Sequence, residues 1–391
     1  SMAGNREFDI VIYGASGFTG RLVAEYMASK NGHGLKWAMA GRSESKLASV
    51  RDEIGAPADT PLVVADASDP ASLRAMIGST RCICTTVGPY QLYGTDVVAA
   101  CAELGTDYVD LSGEPGWMHE MIVKYHDMAV ASGARIVHSC GFDSIPFDLG
   151  VLFLEDAAIE KFGKACNRVK GRVRAMNGEF SGGTAASLNA TMDALGSNPG
   201  LLAILANPFS LANEFQGPEQ PADNAIYLDT DVDSWVAPFI MAPINTKNVH
   251  RSNTLMGHPY GTDFRYDEMM MTGPGDEGKA VAEFVATHNP LQGDDVPAPG
   301  EGPSKEAREA GNYDILFIGT TDGGDELRAG VTGDMDPGYG STSKMIAESA
   351  ACLLLDCADV PGGIYTPAPA MGHKLIDRLT THAGLTFSLE D

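Results

Sequence analysis

The sequence predicts an α/β protein, a doubly wound parallel sheet joined to a second α+β domain built on a mostly antiparallel sheet. Three observations carry this. Short apolar runs alternate with helical patterns through residues 8–139. The first run leads directly into a G-x-x-G-x-x-G turn. Beyond Ile145 the alternation breaks, and strand-like runs appear among Gly/Pro-rich loops.

Phe8 to Tyr13 is a β-branched and aromatic run that reads as a buried strand, and Arg21 to Met27 carries Leu22, Val23 and Tyr26 at helical spacing. Between them lie Gly14, Ala15, Ser16, Gly17, Phe18, Thr19 and Gly20. Gly14 can adopt angles that a side chain forbids, Gly17 leaves no Cβ in the way of a bound group, and Gly20 lets the helix approach the strand. Free N–H groups at a helix start favour a phosphate, so the turn is expected to hold a dinucleotide pyrophosphate.

The second strand, Lys36 to Ala40, ends in Gly41, Arg42 and Ser43. A free ribose 2′-hydroxyl is usually met here by an acidic residue and a 2′-phosphate by arginine. Arg42 therefore points to NADP(H), through a charge-assisted fork of about 1.5–3 kcal/mol, with Ser43 and Lys46 near enough in sequence to assist. Further strands are expected at Leu62 to Ala65, Cys82 to Val87, Tyr108 to Leu111 and Arg135 to Ser139. Helices are expected at Ser45 to Ile54, Pro70 to Ile77, Asp96 to Leu104 and Trp117 to Ser132. Asp66 and Gly88 fall at carboxyl ends of strands, where such sheets bind ligands.

Residues 1–145 form the expected cofactor domain, 146–338 a substrate-side domain, and 339–391 a C-terminal section of helices and strand packing back on the first domain. In the middle section, strands are expected at Arg168 to Met176, Ile315 to Thr320 and Leu327 to Thr332, with a helix from near Thr184. Asp294 to Gly311 reads as a polar loop or lid. Lys344 to Ala358 is apolar on most faces and so reads as a buried helix.

The 391 residues suffice for two domains with cores. A formal charge of −25 argues against nucleic acid and anionic membrane as partners, since both would be repelled. Seven cysteines without a C-x-x-C pair read as reduced thiols of a cytoplasmic protein. The opening "SMAG" reads as an added tag before a natural start, with no secretory leader. No apolar run reaches membrane-spanning length, so no stable membrane insertion is expected. No metal-ligand spacing is present, and His119 and His126 read as solvated or packing residues.

The stretches "GASGFTGRLVAEYM", "AGRSESKL", "TTVGPYQLYGTDVVAACAELGTDYVDLSGEP", "SCGFDSIPFDLG" and "PGGIYTPAPAMGHKLIDRL" together resemble the saccharopine dehydrogenase-like oxidoreductases, a group that includes the mycobacterial trans-acting enoyl reductases. The resemblance implies an NADP-binding Rossmann domain with a second α+β domain. It implies oxidoreductase activity on a small molecule, including a carrier-bound or CoA-linked acyl chain, and leaves a homodimer open. Eukaryotic members carry an apolar segment that the region around Arg265 to Asn289 lacks.

For the chemistry, Val87, Gly88 and Pro89 are expected to run under the nicotinamide. Tyr90 is the side chain expected to reach substrate, as proton donor or as aromatic wall. Asp143 and Ser144 read either as an N-cap or as catalytic residues, Asp143 as acid or substrate anchor, and Cys140 reads as a polar wall or weak donor. Ser181, Gly182, Gly183 and Thr184 form a second helix start that could bind a substrate oxygen, or Thr184 could simply cap the helix. Three functions follow: an NADPH-dependent reductase of an activated, enoyl-type double bond; imine chemistry on an amino-acid adduct, which would demand clustered arginines; or a non-catalytic NADP(H)-binding sensor or scaffold. "DEMMMTG" and "FIMAPIN" could supply apolar lining for an enoyl substrate, although methionines at such positions more often belong to the core.

Overall fold

The computed structural model describes residues 5–178, 182–288 and 301–390. Ser181 and residues 294–300 of the expected loop at Asp294 to Gly311 lie outside them, and Lys305–Ala310 of that stretch form a helix instead of a loop, capped by the Ser304 hydroxyl.

The first layer follows the alternating pattern closely: β1 (Phe8–Tyr13), α1 (Phe18–Ser29), β2 (Trp37–Gly41), α2 (Glu44–Glu53), β3 (Leu62–Val64), α3 (Pro70–Gly78), β4 (Thr80–Thr85), α4 (Tyr90–Tyr93), α5 (Thr95–Leu104), β5 (Asp107–Val109), α6 (Pro115–Ser132) and β6 (Arg135–Val137). A long helix, α7 (Ile145–Phe162), leads into the second layer of β7 (Arg168–Asn177), α8 (Gly182–Ser197), α9 (Gly200–Ala206), β8 (Tyr227–Asp229), β9 (Ser234–Pro238), α10 (Ala242–Leu255), β10 (Arg265–Gly273), α11 (Gly275–Thr287), α12 (Lys305–Ala310), β11 (Asn312–Thr320) and β12 (Glu326–Gly333). The C-terminal section supplies α13 (Thr342–Leu355), β13 (Gly363–Tyr365), α14 (Pro367–His382) and β14 (Leu385–Glu390).

The first sheet runs β13-β6-β5-β4-β1-β2-β3, and its pairings are parallel. β1 lies between β4 and β2, so the strand order reverses beside it, and a crevice opens at the carboxyl ends. The second sheet, β14-β12-β11-β7-β10-β9-β8, is antiparallel except for the β7–β10 pair. The C-terminal section serves both sheets: β13 pairs with β6, whereas β14 pairs with β12.

One core runs between the layers, from Ile10 and Ile12 of β1 through Met345 of α13 and Phe147 of α7 to Phe317 of β11. Close approach demands Gly150, because a Cβ there would overlap the Phe317 ring. Arg135 anchors α13 from below: its guanidinium pairs with Asp107 at 2.8 Å and donates to the carbonyls of Leu353 and Cys357. Removing one partner of such a buried pair typically costs about 3–5 kcal/mol. All seven cysteines are free and buried. Cys140 is among them, its thiol turned toward the Val137 carbonyl, so it packs the core and does not line a ligand wall. No helix among the described residues is long and apolar enough to cross a membrane.

Candidate active site

A cleft of about 1020 Å³ starts at the glycine turn, crosses the carboxyl ends of β1 and β4, and continues under α8 and α10 of the second layer. At its first end, Gly14 takes φ +91°, while Gly14 and Ala15 both donate to the Ala40 carbonyl. Gly17 stands at the N-cap of α1 with no side-chain cap. A Cβ on Gly20 would overlap the Gly14 carbonyl, so glycine is required where the helix crosses the turn. Ser16, Gly17, Phe18, Thr19 and Gly20 line the cleft, and Ala15 is buried beneath it. Phe18 stands edge-on to Tyr339, ring centroids 5.1 Å apart.

Arg42 is exposed, lines the cleft and makes no hydrogen bond or ion pair to protein among the described residues. Asp66 also lines it, and the amide and hydroxyl of Ser68 hold its carboxyl below the usual range. Ser43 and Lys46 behave differently from the expectation that they assist Arg42. Ser43 caps α2 by accepting the Lys46 amide, and neither residue lines the cleft.

Val87 and Gly88 form the bend toward the second half of the cleft, with Pro89 buried behind them. Tyr90 does not present its hydroxyl to a ligand. That hydroxyl donates to the Thr85 carbonyl at 3.0 Å and accepts the Leu111 amide at 3.1 Å, and the ring stacks on Trp117. Tyr90 is thus a wall, and the exposed side chains that this loop offers to the cleft are Leu92 and Tyr93. Glu114 holds the loop: its carboxylate accepts the amides of Tyr90 and Gln91 and the Ser187 hydroxyl, joining α4 to α8.

Asp143 lies over Gly113, where any Cβ would collide with its carboxylate. Burial, reinforced by the nearby charges of Asp110 and Glu114, pushes its carboxyl up to about 7. Ser144 is buried away from the cleft. It occupies the N-cap position of α7, but its hydroxyl makes no cap bond and instead accepts from Asn248 of α10 at 2.9 Å. The same loop rests on Asp110, which gathers the hydroxyl of Tyr108, the His138 ring and the amides of Ser112 and Ser139.

The second layer closes the site with Thr184, Ser187, Leu188 and Thr191 of α8, and with Ile240, Met241, Pro243, Ile244 and Lys247 at or near α10. Gly182 and Gly183 begin α8. "FIMAPIN" thus supplies lining as expected, whereas Met269 of "DEMMMTG" is buried in the core of β10. Lys247 is buried, which pulls its ammonium down to about 8, and its Nζ donates to the Pro243 carbonyl. Ile244 and Lys247 share a helix face three residues apart, with Ile244 beside Gly113 and the Asp143 carboxylate and Lys247 folded back to the Pro243 carbonyl.

Sequence reading missed Glu114, Tyr93 and Lys247. The available signal was α10 itself: Asn245, Lys247, Asn248, His250, Arg251, Ser252 and Asn253 are all buried, a polar density that an ordinary core helix does not carry. The second-layer arginines that imine chemistry on a carboxylate-rich substrate would demand are engaged elsewhere. Arg168 and Arg172 pair with Asp267, Arg174 with Asp314 and Glu390, and Arg251 donates to the carbonyls of Leu211 and Ile364. Arg265 is exposed, and none of the five lines the cleft.

His119 contacts the Ser210 carbonyl and His126 the Ile364 amide, both packing roles. Away from the cleft, His33, Glu348 and His382 bring ligand-type atoms within 4.8 Å of one another. Glu348 already accepts the Tyr26 hydroxyl and pairs with Arg378, whose charge opposes a metal cation there.

Residues 10–137 match the family described as the saccharopine dehydrogenase NADP binding domain. A Mycobacterium tuberculosis protein named as a trans-acting enoyl reductase is 41% identical over 96% of both chains. Trans-acting enoyl reductases of Mycobacterium bovis and Mycobacterium ulcerans are 38% and 37% identical, each again over 96% of both chains. Apo saccharopine dehydrogenase (L-Glu forming) from Saccharomyces cerevisiae aligns with a TM-score of 0.57 at 11% identity, covering 98% of this chain and 100% of that one, a likeness of fold.

Proposed function

Because the chain belongs to the saccharopine dehydrogenase-like family and is an NADP-dependent oxidoreductase, we propose that it reduces an activated carbon–carbon double bond, an enoyl group on a lipid-like or polyketide-like acyl chain. The observation that carries this reading is the substrate half of the cleft. Its lining is apolar apart from a few placed polar groups, and among the described residues its only cation from the second layer is Lys247. A substrate with several carboxylates would find no arginine there. A non-catalytic sensor would have no use for that half of the cleft.

The first half fits NADP(H). The first turn of α1, whose amides lack intrahelical partners and whose N-cap Gly17 carries no side chain, would hold the pyrophosphate, and Arg42, without a protein partner among the described residues, would meet the 2′-phosphate. When bound, the cofactor supplies the hydride. Val87 and Gly88 shape the floor of the reacting region, and Tyr90, backed by Trp117, walls it. Asp143, its carboxyl raised by burial to about 7, is protonated on the acid side of neutrality and in that form would deliver its proton to the substrate carbon left basic by hydride addition. Glu114 keeps the α4 loop and α8 in register around that point. With its seven cysteines free and buried, the protein suits the reducing cytoplasm.

The test is NADPH oxidation by the purified protein with 2-enoyl thioesters and, separately, with glutamate–semialdehyde mixtures. Turnover of the thioesters alone is the expected result. Turnover of the amino-acid mixture alone would replace the enoyl reading with imine reduction.

A further inference from the structure

A second cavity of about 490 Å³ adjoins the cleft, and the two share Leu205, Pro243 and Lys247. Its rim carries exposed Ala206 and Gln216, and its floor is made by buried Phe209, Lys247, His250 and Tyr266. The chamber therefore runs from solvent to the lysine that lines both it and the substrate half of the cleft. With NADP(H) along the glycine turn, it is a route that a substrate can use without crossing the cofactor.

Its chemistry is that of a ligand site. The Lys247 ammonium has three donors and spends one on the Pro243 carbonyl. His250 is 2% exposed, and its Nε2 is buried with no partner among the described residues. Burial holds that ring neutral, and Phe209 packs on it at 4.6 Å. Pro208, Phe209 and Pro218 offer surface for methylene groups, while Glu219 and Asp223 repel an anion. These features together favour an uncharged chain that carries hydrogen-bond acceptors between methylene segments, as an amide-bearing arm does.

We propose that this chamber binds the non-reacting arm of the substrate, an uncharged amide-bearing thioester arm of the pantetheine type, with its thioester carbonyl at Lys247 and the double bond in the cleft. The inference rests on the enoyl reading for the position of the double bond, and on the chamber's own lining for the arm.

Two rim substitutions test it. Ala206→Trp and Gln216→Trp both sit at exposed positions outside the cleft, so each should fold and retain NADPH binding. Each should raise KM for an enoyl-pantetheine thioester about tenfold, with kcat at saturation held within about twofold. The same acyl group on N-acetylcysteamine, too short to fill the chamber, should change by less than about twofold. Equal changes for both esters, or no change for either, would overturn the assignment. The arm could arrive on CoA or on a carrier protein. A CoA ester should match the pantetheine ester, and a large CoA advantage would overturn the uncharged-arm assignment by showing that its phosphates are gripped. Calorimetric titration of the NADP-loaded protein with pantetheine alone separates this inference from the enoyl reading. Binding that Ala206→Trp weakens supports the chamber even if no enoyl ester is reduced, and absence of binding refutes the chamber even if enoyl esters are reduced.

Discussion

Asn248 donates its Nδ2–H to the Ser144 hydroxyl at 2.9 Å, so a helix of the second layer grips the loop that positions Asp143. The bond joins groups far apart in sequence and makes the reacting half of the cleft depend on how the two layers dock. Asn248→Ala should lower kcat by up to about 10²-fold through a small displacement of Asp143. NADPH affinity, read by fluorescence titration, should stay at the wild-type value.

Asp143 itself should set the pH profile. With its carboxyl at about 7 it is protonated on the acid side, so kcat should be flat below about pH 7 and fall tenfold per unit above it. Asp143→Asn should reduce kcat by about 10²–10⁴-fold and remove that limb, with NADPH binding retained. A profile unchanged in the variant would eliminate Asp143 as the proton source.

Stability should fall with rising pH for a related reason. Burial raises the carboxyls of Asp148 to about 7 and Glu155 to about 8, above their ordinary values. The folded state thus binds protons that the unfolded chain releases, and this stabilisation is complete below about pH 4 and lost as pH rises through about 7–8. Asp148→Asn can still accept the Ala368 amide and bond the Ser252 hydroxyl, so it should fold with a shallower pH dependence of unfolding. Denaturant titrations from about pH 5 to about pH 9 would measure the slope.

Arg42→Ala should weaken NADPH by about 10–100-fold, the worth of one charge-assisted fork, and leave NADH almost unchanged. Equal losses for both cofactors would refute its assignment to the 2′-phosphate.

Tyr90→Phe should act on stability and spare turnover. It deprives the Leu111 amide of its acceptor, a loss of about 1–3 kcal/mol, and keeps the ring on Trp117. A large fall in kcat with stability unchanged would restore Tyr90 as a participant in the chemistry.

The cofactor half of the site was legible because its determinants are local. Gly14, Gly17 and Gly20 act through backbone angles and close contacts within one strand-turn-helix unit, and Arg42 stands at the end of the adjacent strand. The first sheet was legible for the same reason, since apolar runs and helical periodicity lie within single segments. In the second layer, β8, β9, β10 and α10 lacked such signals; α10 is a buried helix whose residues are mostly polar, which inverts the usual pattern.

The sequence by itself determined the doubly wound sheet, the dinucleotide turn and the preference for a 2′-phosphate, because each depends on neighbours a few residues away. Tertiary structure alone decided that Tyr90 is a wall, that Ser43 caps a helix, and that Glu114, Asp143 and Lys247 share one cleft. Those outcomes depend on desolvation and on partners from distant segments: a hydroxyl is spent or free, and a carboxyl protonated or charged, only once the layers have closed around it.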